Sequence, residues 1–338
     1  MARFLSTCTP IYQIAQSIIL LCLLIKGVRG VTVHDVFNVK SGTTNGGCDG
    51  QNVDQWFSDS QTLIYSASTG AAATDTDNRK YLQTFFSIGP NDDAKQAGDP
   101  INRVKAILDG NAEPDGGKPW LFCSSDWLVE QKWTDIAYDA TTGQLHSDGT
   151  KIEDVFPIKL NEVPFWSDDL RQYLSTVPGD YCKTTNDLAV TQDQTTPGTV
   201  TLCVPNFNSN QVNSLADIPA VTTQRTSIST LQAHSLSLFH EMFHLTLGVA
   251  QTPDAGYELN SVVRFGTKKA ISNPESYTFY ALAYYLGQRF PQYTFANSKS
   301  MNKPAAAGTK RSILDLGKSM LLPFQPAKKD LPDSSWVA

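Results

Sequence analysis

The 338-residue chain has no Cys-x-x-Cys pair, no Asn-x-Ser/Thr sequon and no internal repeat. After its first 30 residues it has no apolar run long enough to span a bilayer. The first absence argues against a cysteine zinc site, and the second means that N-glycosylation is not expected. Basic charge is in deficit, with 27 Lys and Arg against 33 Asp and Glu and a net charge of −6, which argues against a nucleic-acid binder. Histidine is scarce, at five residues, so any patterned pair carries information. The remaining composition, 41% hydrophobic and 10% aromatic, excludes a disordered, collagen-like or coiled-coil chain. It supplies a sizeable core for one large domain or two.

Acids are also missing from the start of the chain: none precedes Asp35. Arg3, the apolar run from Ser17 to Ile25 and the small residues Val28 and Gly30 read as a secretory signal peptide over residues 1–30, cut after Gly30. The apolar run is short for a membrane anchor and meets Gln16 and Gln13 when extended backwards. Without residues 1–30 the chain has 24 basic and 33 acidic residues, a net of −9. The segment 299–338 carries seven bases and three acids (+4), so residues 31–298 carry −13. Such an acidic body suits an extracellular protein and repels nucleic acid and anionic membrane. The basic, Pro- and Lys-rich segment 299–338, with the dibasic pair Lys310-Arg311, reads as a C-terminal tail. Beyond Cys8 and Cys22, four cysteines remain: Cys48, Cys123, Cys182 and Cys203. In an oxidising compartment an even number suggests two disulfides, with three possible connectivities.

Apolar periodicity predicts helices over Gln61–Ala73, Arg79–Ile88 and Pro100–Leu108. Residues 136–146 read as two short strands about Thr141-Thr-Gly143, residues 147–198 mostly as loop with short helices, and Thr199–Val204 as a strand. The strongest helix runs from about Ser229 to Leu247, with Ser227 or Ser229 as cap and Gly248 as stop. Another starts at Asn273 (cap) and Pro274 (first turn).

Inside that strongest helix stands His240-Glu-Met-Phe-His244. Four residues advance a helix by one turn plus about 40°, so both imidazoles lie on one face and can reach a single Zn2+ at about 2.0–2.1 Å. Glu241 projects beside them and is placed to act as general base towards water. His34, His146 and His234 read as bystanders. A catalytic zinc takes three protein ligands and keeps one position open. Two acids compete for the third place: Asp254, ten residues beyond His244 in a loop, and Glu275, in the first turn of the next helix, where acids are favoured in any case.

After HExxH, Thr252-Pro-Asp-Ala-Gly-Tyr257 resembles the Gly-Thr-x-Asp-x-x-Tyr-Gly segment of the aspzincins. These are the deuterolysin and peptidyl-Lys metalloendopeptidase family of secreted, mostly fungal proteases. Asn273-Pro-Glu-Ser-Tyr277 resembles the family's Asn-Ala-Asp-Ser-Tyr stretch. The resemblance covers roughly residues 45–290. It implies an α+β, zincin-like metalloprotease fold over residues 31–298, helix-rich with a small sheet beside the HExxH helix. It implies His240, His244 and Asp254 as zinc ligands, with Glu275 supporting them rather than ligating; from the residues alone Glu275 stays the alternative third ligand. It also implies Glu241 as general base, Tyr257 as donor to the oxyanion, and the pairings Cys48–Cys123 and Cys182–Cys203. The chain departs from the pattern at Gln251 and Glu258, which replace two glycines. Cys123 and Cys182 also lie far apart, which implies an insertion at about 124–181. The expected protein is a secreted, monomeric zinc metalloendopeptidase that hydrolyses protein or peptide substrates, without nucleic-acid or stable membrane association. The alternative is a non-catalytic, zinc-scavenging or antigen-like protein on the same fold. Relatives of that kind carry Arg in place of the motif's Glu, so Glu241 speaks against it.

Overall fold

The computed structural model describes residues 30–184 and 186–303. The expected signal peptide (residues 1–30), apart from Gly30, and the tail beyond Lys303, with Lys310-Arg311, lie outside the described residues. Five helices of more than two turns carry the core: α1 Val53–Ala72, α2 Thr76–Phe86, α3 Lys95–Leu108, α4 Ser235–Leu247 and α5 Pro274–Arg289. The strands are β1 Asn38–Val39, β2 Trp120–Phe122, β3 Val129–Glu130, β4 Val163–Ser167, β5 Gln172–Thr176, β6 Ala189–Gln192, β7 Thr199–Leu202, β8 Tyr293–Thr294 and β9 Met301–Asn302. The protein is thus a mixed α and β structure in which helices pack beside small sheets.

Helix α1 starts eight residues before the expected Gln61, because Val53, Trp56 and Phe57 continue its buried face through a polar stretch. It packs against α3, α4 and α5. Gly70 makes the closest approach possible: a Cβ there would lie 2.7 Å from Tyr280 Oη and from the Tyr284 ring. The α4–α5 contact is aromatic, with the Phe243 and Tyr277 rings stacked at 4.3 Å and Phe86 4.8 Å from Tyr277 on the other side.

Four strands form one sheet in the order β1-β2-β7-β6, parallel except for the edge strand β6. This sheet lies beside α4, which touches both β6 and β7. The region 124–181 is not mainly loop, as the second half of it had been expected to be. There β3, β4 and β5 form an antiparallel sheet of their own. The two short strands expected over 136–146 are reduced to single bridges, Ile136 with Lys151 and Tyr138 with Leu145. This lobe shares a core with the main sheet through Phe122, Trp127, Phe165 and Leu174, and the Trp127 indole donates to Thr201 Oγ1 at 2.9 Å. At the other end β8 and β9 form a hairpin with Ser300 fully buried, so packing continues past Ser298, the expected end of the domain.

Both expected disulfides are present: Cys48–Cys123 joins residues 75 positions apart, and Cys182–Cys203 residues 21 apart. The chain-entropy relation assigns about 4.5 and about 3.4 kcal/mol to loops of these sizes. Replacing either pair by serines should lower the unfolding free energy in a denaturant titration, and the Cys48–Cys123 pair should cost more.

Candidate metal centre

Helix α4 is buried on every side from Ser235 to His244, as its run of apolar residues allows. It begins at Ser235 rather than near Ser229. Ser227 caps only a separate 3-10 turn, Ile228–Thr230. The next residues are drawn out of helix by a pairing with Val212, whose N–H donates to Gln232 O and whose carbonyl accepts from His234. Gly248 ends the helix with φ 89°, a conformation that favours glycine, and donates its N–H to His244 O.

His240, Glu241 and His244 are 0%, 2% and 4% exposed, and this buried group could hold a metal ion. The tightest convergence involves a second chain segment. His240 Nε2 and His244 Nε2 lie 3.2 Å apart, and Asp254 Oδ1 is 3.1 Å from each. A tetrahedral ion with bonds of about 2.0–2.1 Å would separate its ligands by about 3.3 Å. Glu275 is on the far side of His240, its Oε2 2.9 Å from Nδ1. Asp254 therefore faces the shared point and Glu275 backs it.

The outward hydrogen bonds fix what faces inward. The Thr252 hydroxyl gives its one hydrogen to Gly248 O at 2.8 Å, so at 3.0 Å it accepts from His244 Nδ1–H. Glu275 likewise accepts from His240 Nδ1–H. With both imidazoles neutral, the Nε2 lone pairs face Asp254 Oδ1 and three acceptors lie within 3.2 Å of one another. That donor set fits a cation of the zinc type, held by two neutral imidazoles and one carboxylate.

Without a cation, a proton takes its place between the imidazoles and Asp254. Burial alone would depress the His240 imidazolium. Hydrogen bonds to Asp254 and Glu275, with the charges of Glu241 and Glu275, reverse this and hold it up at about 10. Burial would raise Asp254, but His240 and His244 pull it well below the usual carboxylate range. Burial pushes the Glu275 carboxyl up, against the pull of His240. The pocket thus favours positive charge where the imidazoles meet. Tyr257, its ring 6.0 Å from that of His240, is pushed far above its ordinary value by burial and then by the Asp254, Glu241 and Asp187 carboxylates. It stays a protonated donor.

Two positioning devices escaped the sequence reading. Thr191, on the edge strand β6, donates to Glu241 Oε2 at 2.7 Å and so aims the carboxylate. Asn273 occupies the cap position of α5 without capping it. Its Oδ1 accepts from Ala255 N at 3.0 Å, and its Nδ2 donates to Gly256 O at 3.3 Å and to Ser276 Oγ. The Asp254 loop is thereby clamped to α5. Nothing local announces Thr191, which is 50 residues from its partner, and an Asn three residues before a Ser in a helix start has the form of an ordinary cap. Thr191→Val should leave metal content unchanged while the Glu241 carboxylate, having lost a charge-assisted hydrogen bond, loses its fixed position; metal analysis beside a crystal structure of the variant would check this.

The site opens to solvent on the Asp254 side, whose side chain is 31% exposed. A cleft of about 370 Å3, lined by Thr191, Asp193, Thr196, His244 and Gly248, adjoins it. A larger cavity of about 610 Å3, between α2, the end of α5 and the β8–β9 hairpin, shares no residue with the site. Among the described residues no helix is long and apolar enough to cross a membrane. Compared with family models, curated proteins and solved structures, the chain matches none.

Proposed function

We propose that this chain is a secreted zinc metalloendopeptidase of the aspzincin kind, on a zincin-like fold. His240, His244 and Asp254 hold the metal and Glu241 is the general base. The observation that carries this reading is the convergence of His240 Nε2, His244 Nε2 and Asp254 Oδ1 at 3.1–3.2 Å, with both Nδ1 atoms committed outward. When bound, zinc lowers the pKa of water and polarises a carbonyl. Glu241, aimed by Thr191, takes the proton of the attacking water and passes it to the leaving amine. Tyr257 donates a hydrogen bond to the oxyanion that forms on the scissile carbonyl. Edge strand β6 supports a peptide substrate: it runs beside Glu241, and an extended chain can add to a sheet edge through main-chain hydrogen bonds. The disulfides suit an oxidising compartment.

Tyr257→Phe should lower kcat by about 10- to 100-fold with KM little changed, because only the oxyanion donor is lost. Steady-state kinetics on a quenched peptide would measure it. The reading as a whole is tested by casein hydrolysis with and without a zinc chelator. It expects hydrolysis that the chelator abolishes and one equivalent of Zn2+ restores. One zinc per chain with no hydrolysis of any peptide would leave a binding protein instead.

A further inference from the structure

The body of the chain is acidic, yet one of its clefts has only bases as charged lining. This cleft of about 590 Å3 lies between α3, the end of α4 and the short helix Thr267–Ile271. Its charged residues are Arg103, Lys268 and Lys269, and Pro100, Leu247 and Ile271 give it apolar wall. No acid lines it, and residues 259–274 beside it hold three bases and no acid. The bases are available to a ligand. No ion pair among the described residues uses Lys268 or Lys269, and the Lys269 ammonium rests 4.0 Å over the Phe265 ring. Arg103 gives an N–H to Thr246 O at 2.9 Å, which fixes the guanidinium beside the end of α4 and leaves further donors of its fork open.

This cleft continues the one at the metal centre. Arg103, Leu247 and Gln251 line both, and the neighbouring cleft reaches His244 and Thr191. Thr252, whose hydroxyl accepts from His244 Nδ1–H, also lines the basic cleft. A polypeptide that lies along β6 and passes His244 over the end of α4 therefore enters the basic cleft next.

The lining selects the occupant. Three cations without an anion call for negative charge. The apolar wall suits aliphatic side chains, which an anionic polysaccharide lacks. Gln251 and Ser272 offer polar groups that a peptide main chain can use and a fatty-acid tail cannot. We infer that the basic cleft is a specificity subsite for an acidic and apolar flank of the polypeptide substrate, several residues from the scissile bond. This rests on the peptidase reading above. It runs against the net charge of residues 31–298, which by itself repels such a flank.

The test uses the full chain and peptides that share one cleavable centre and carry a Glu/Leu or a Ser/Leu block on one flank or the other. The readout is the ratio of kcat/KM for the Glu/Leu peptide to that for its Ser/Leu counterpart, so a variant that merely folds less well leaves it unmoved. An exposed ion pair typically contributes about two- to threefold. With the block on one flank only, we expect a ratio of about ten for the wild type. It should fall to about two or three for Lys268→Gln/Lys269→Gln, in which Arg103 remains, and below one for Lys268→Glu/Lys269→Glu. Every ratio should approach one in about 1 M salt. No ratio above one, equal ratios on the two flanks, or a ratio that the lysine variants leave unmoved would overturn the subsite and leave the peptidase reading standing. Binding is measured separately by calorimetry with the Glu/Leu block alone, with dodecanoate and with a heparin hexasaccharide. Tighter binding of either of the last two than of the block would overturn the polypeptide occupant. Lysine-dependent binding of the block by a wild-type protein that cleaves no peptide would overturn the peptidase reading and keep the cleft as a site for acidic polypeptide. Neither binding nor cleavage would overturn both.

Discussion

Glu241→Gln should retain zinc at wild-type stoichiometry while peptide hydrolysis falls by about two to four decades. Glutamine preserves the volume of a side chain that is 2% exposed, and its amide oxygen can still accept from Thr191. What it loses is the capacity to take a proton from water. The loss should fall on kcat and on kcat/KM alike, as for an interaction made in the transition state. Turnover like that of the wild type in this variant would remove Glu241 from the chemistry and with it the proposed mechanism.

Asp254→Ala should lose zinc far more readily than Glu275→Gln. Among the described residues Asp254 Oδ1 is the carboxylate oxygen 3.1 Å from both imidazole nitrogens, so its removal takes away the proposed third ligand. Glu275 acts through His240 Nδ1, and a partner of that sort typically costs about 10–100-fold in metal affinity. Glutamine keeps an acceptor at that position, which places Glu275→Gln near the lower end. Competition with a chromophoric chelator gives both affinities. A larger loss for Glu275→Gln would place the third ligand on α5 and contradict the aspzincin reading.

How much of this was legible in the sequence varied with the range of the interaction. The i, i+4 spacing put His240 and His244 on one helix face, because helix geometry is local. Asp254 emerged from two candidates only through a family resemblance; residue spacing alone left Glu275 open. Long-range partners left no local trace: Thr191 reaches Glu241 across 50 residues, and the pairing of Val212 with Ala233 delays the start of α4 in a stretch whose propensity is helical. The β4–β5 hairpin was hidden for a different reason. Its turn places Arg171 at φ 53°, in the left-handed region where Gly or Asn is the usual signal. Without that signal, a segment rich in Asp, Pro and Thr reads as loop.

In the proposed centre, two imidazoles and one carboxylate hold zinc. X-ray absorption at the zinc edge, on protein purified without added metal and titrated to one equivalent, tests it most directly. The expected spectrum has one tightly held zinc per chain, four nitrogen or oxygen neighbours at about 2.0–2.1 Å and the outer-shell scattering of two imidazoles. Sulfur neighbours at about 2.3 Å, one imidazole or none, or zinc that washes away at micromolar concentration would contradict it.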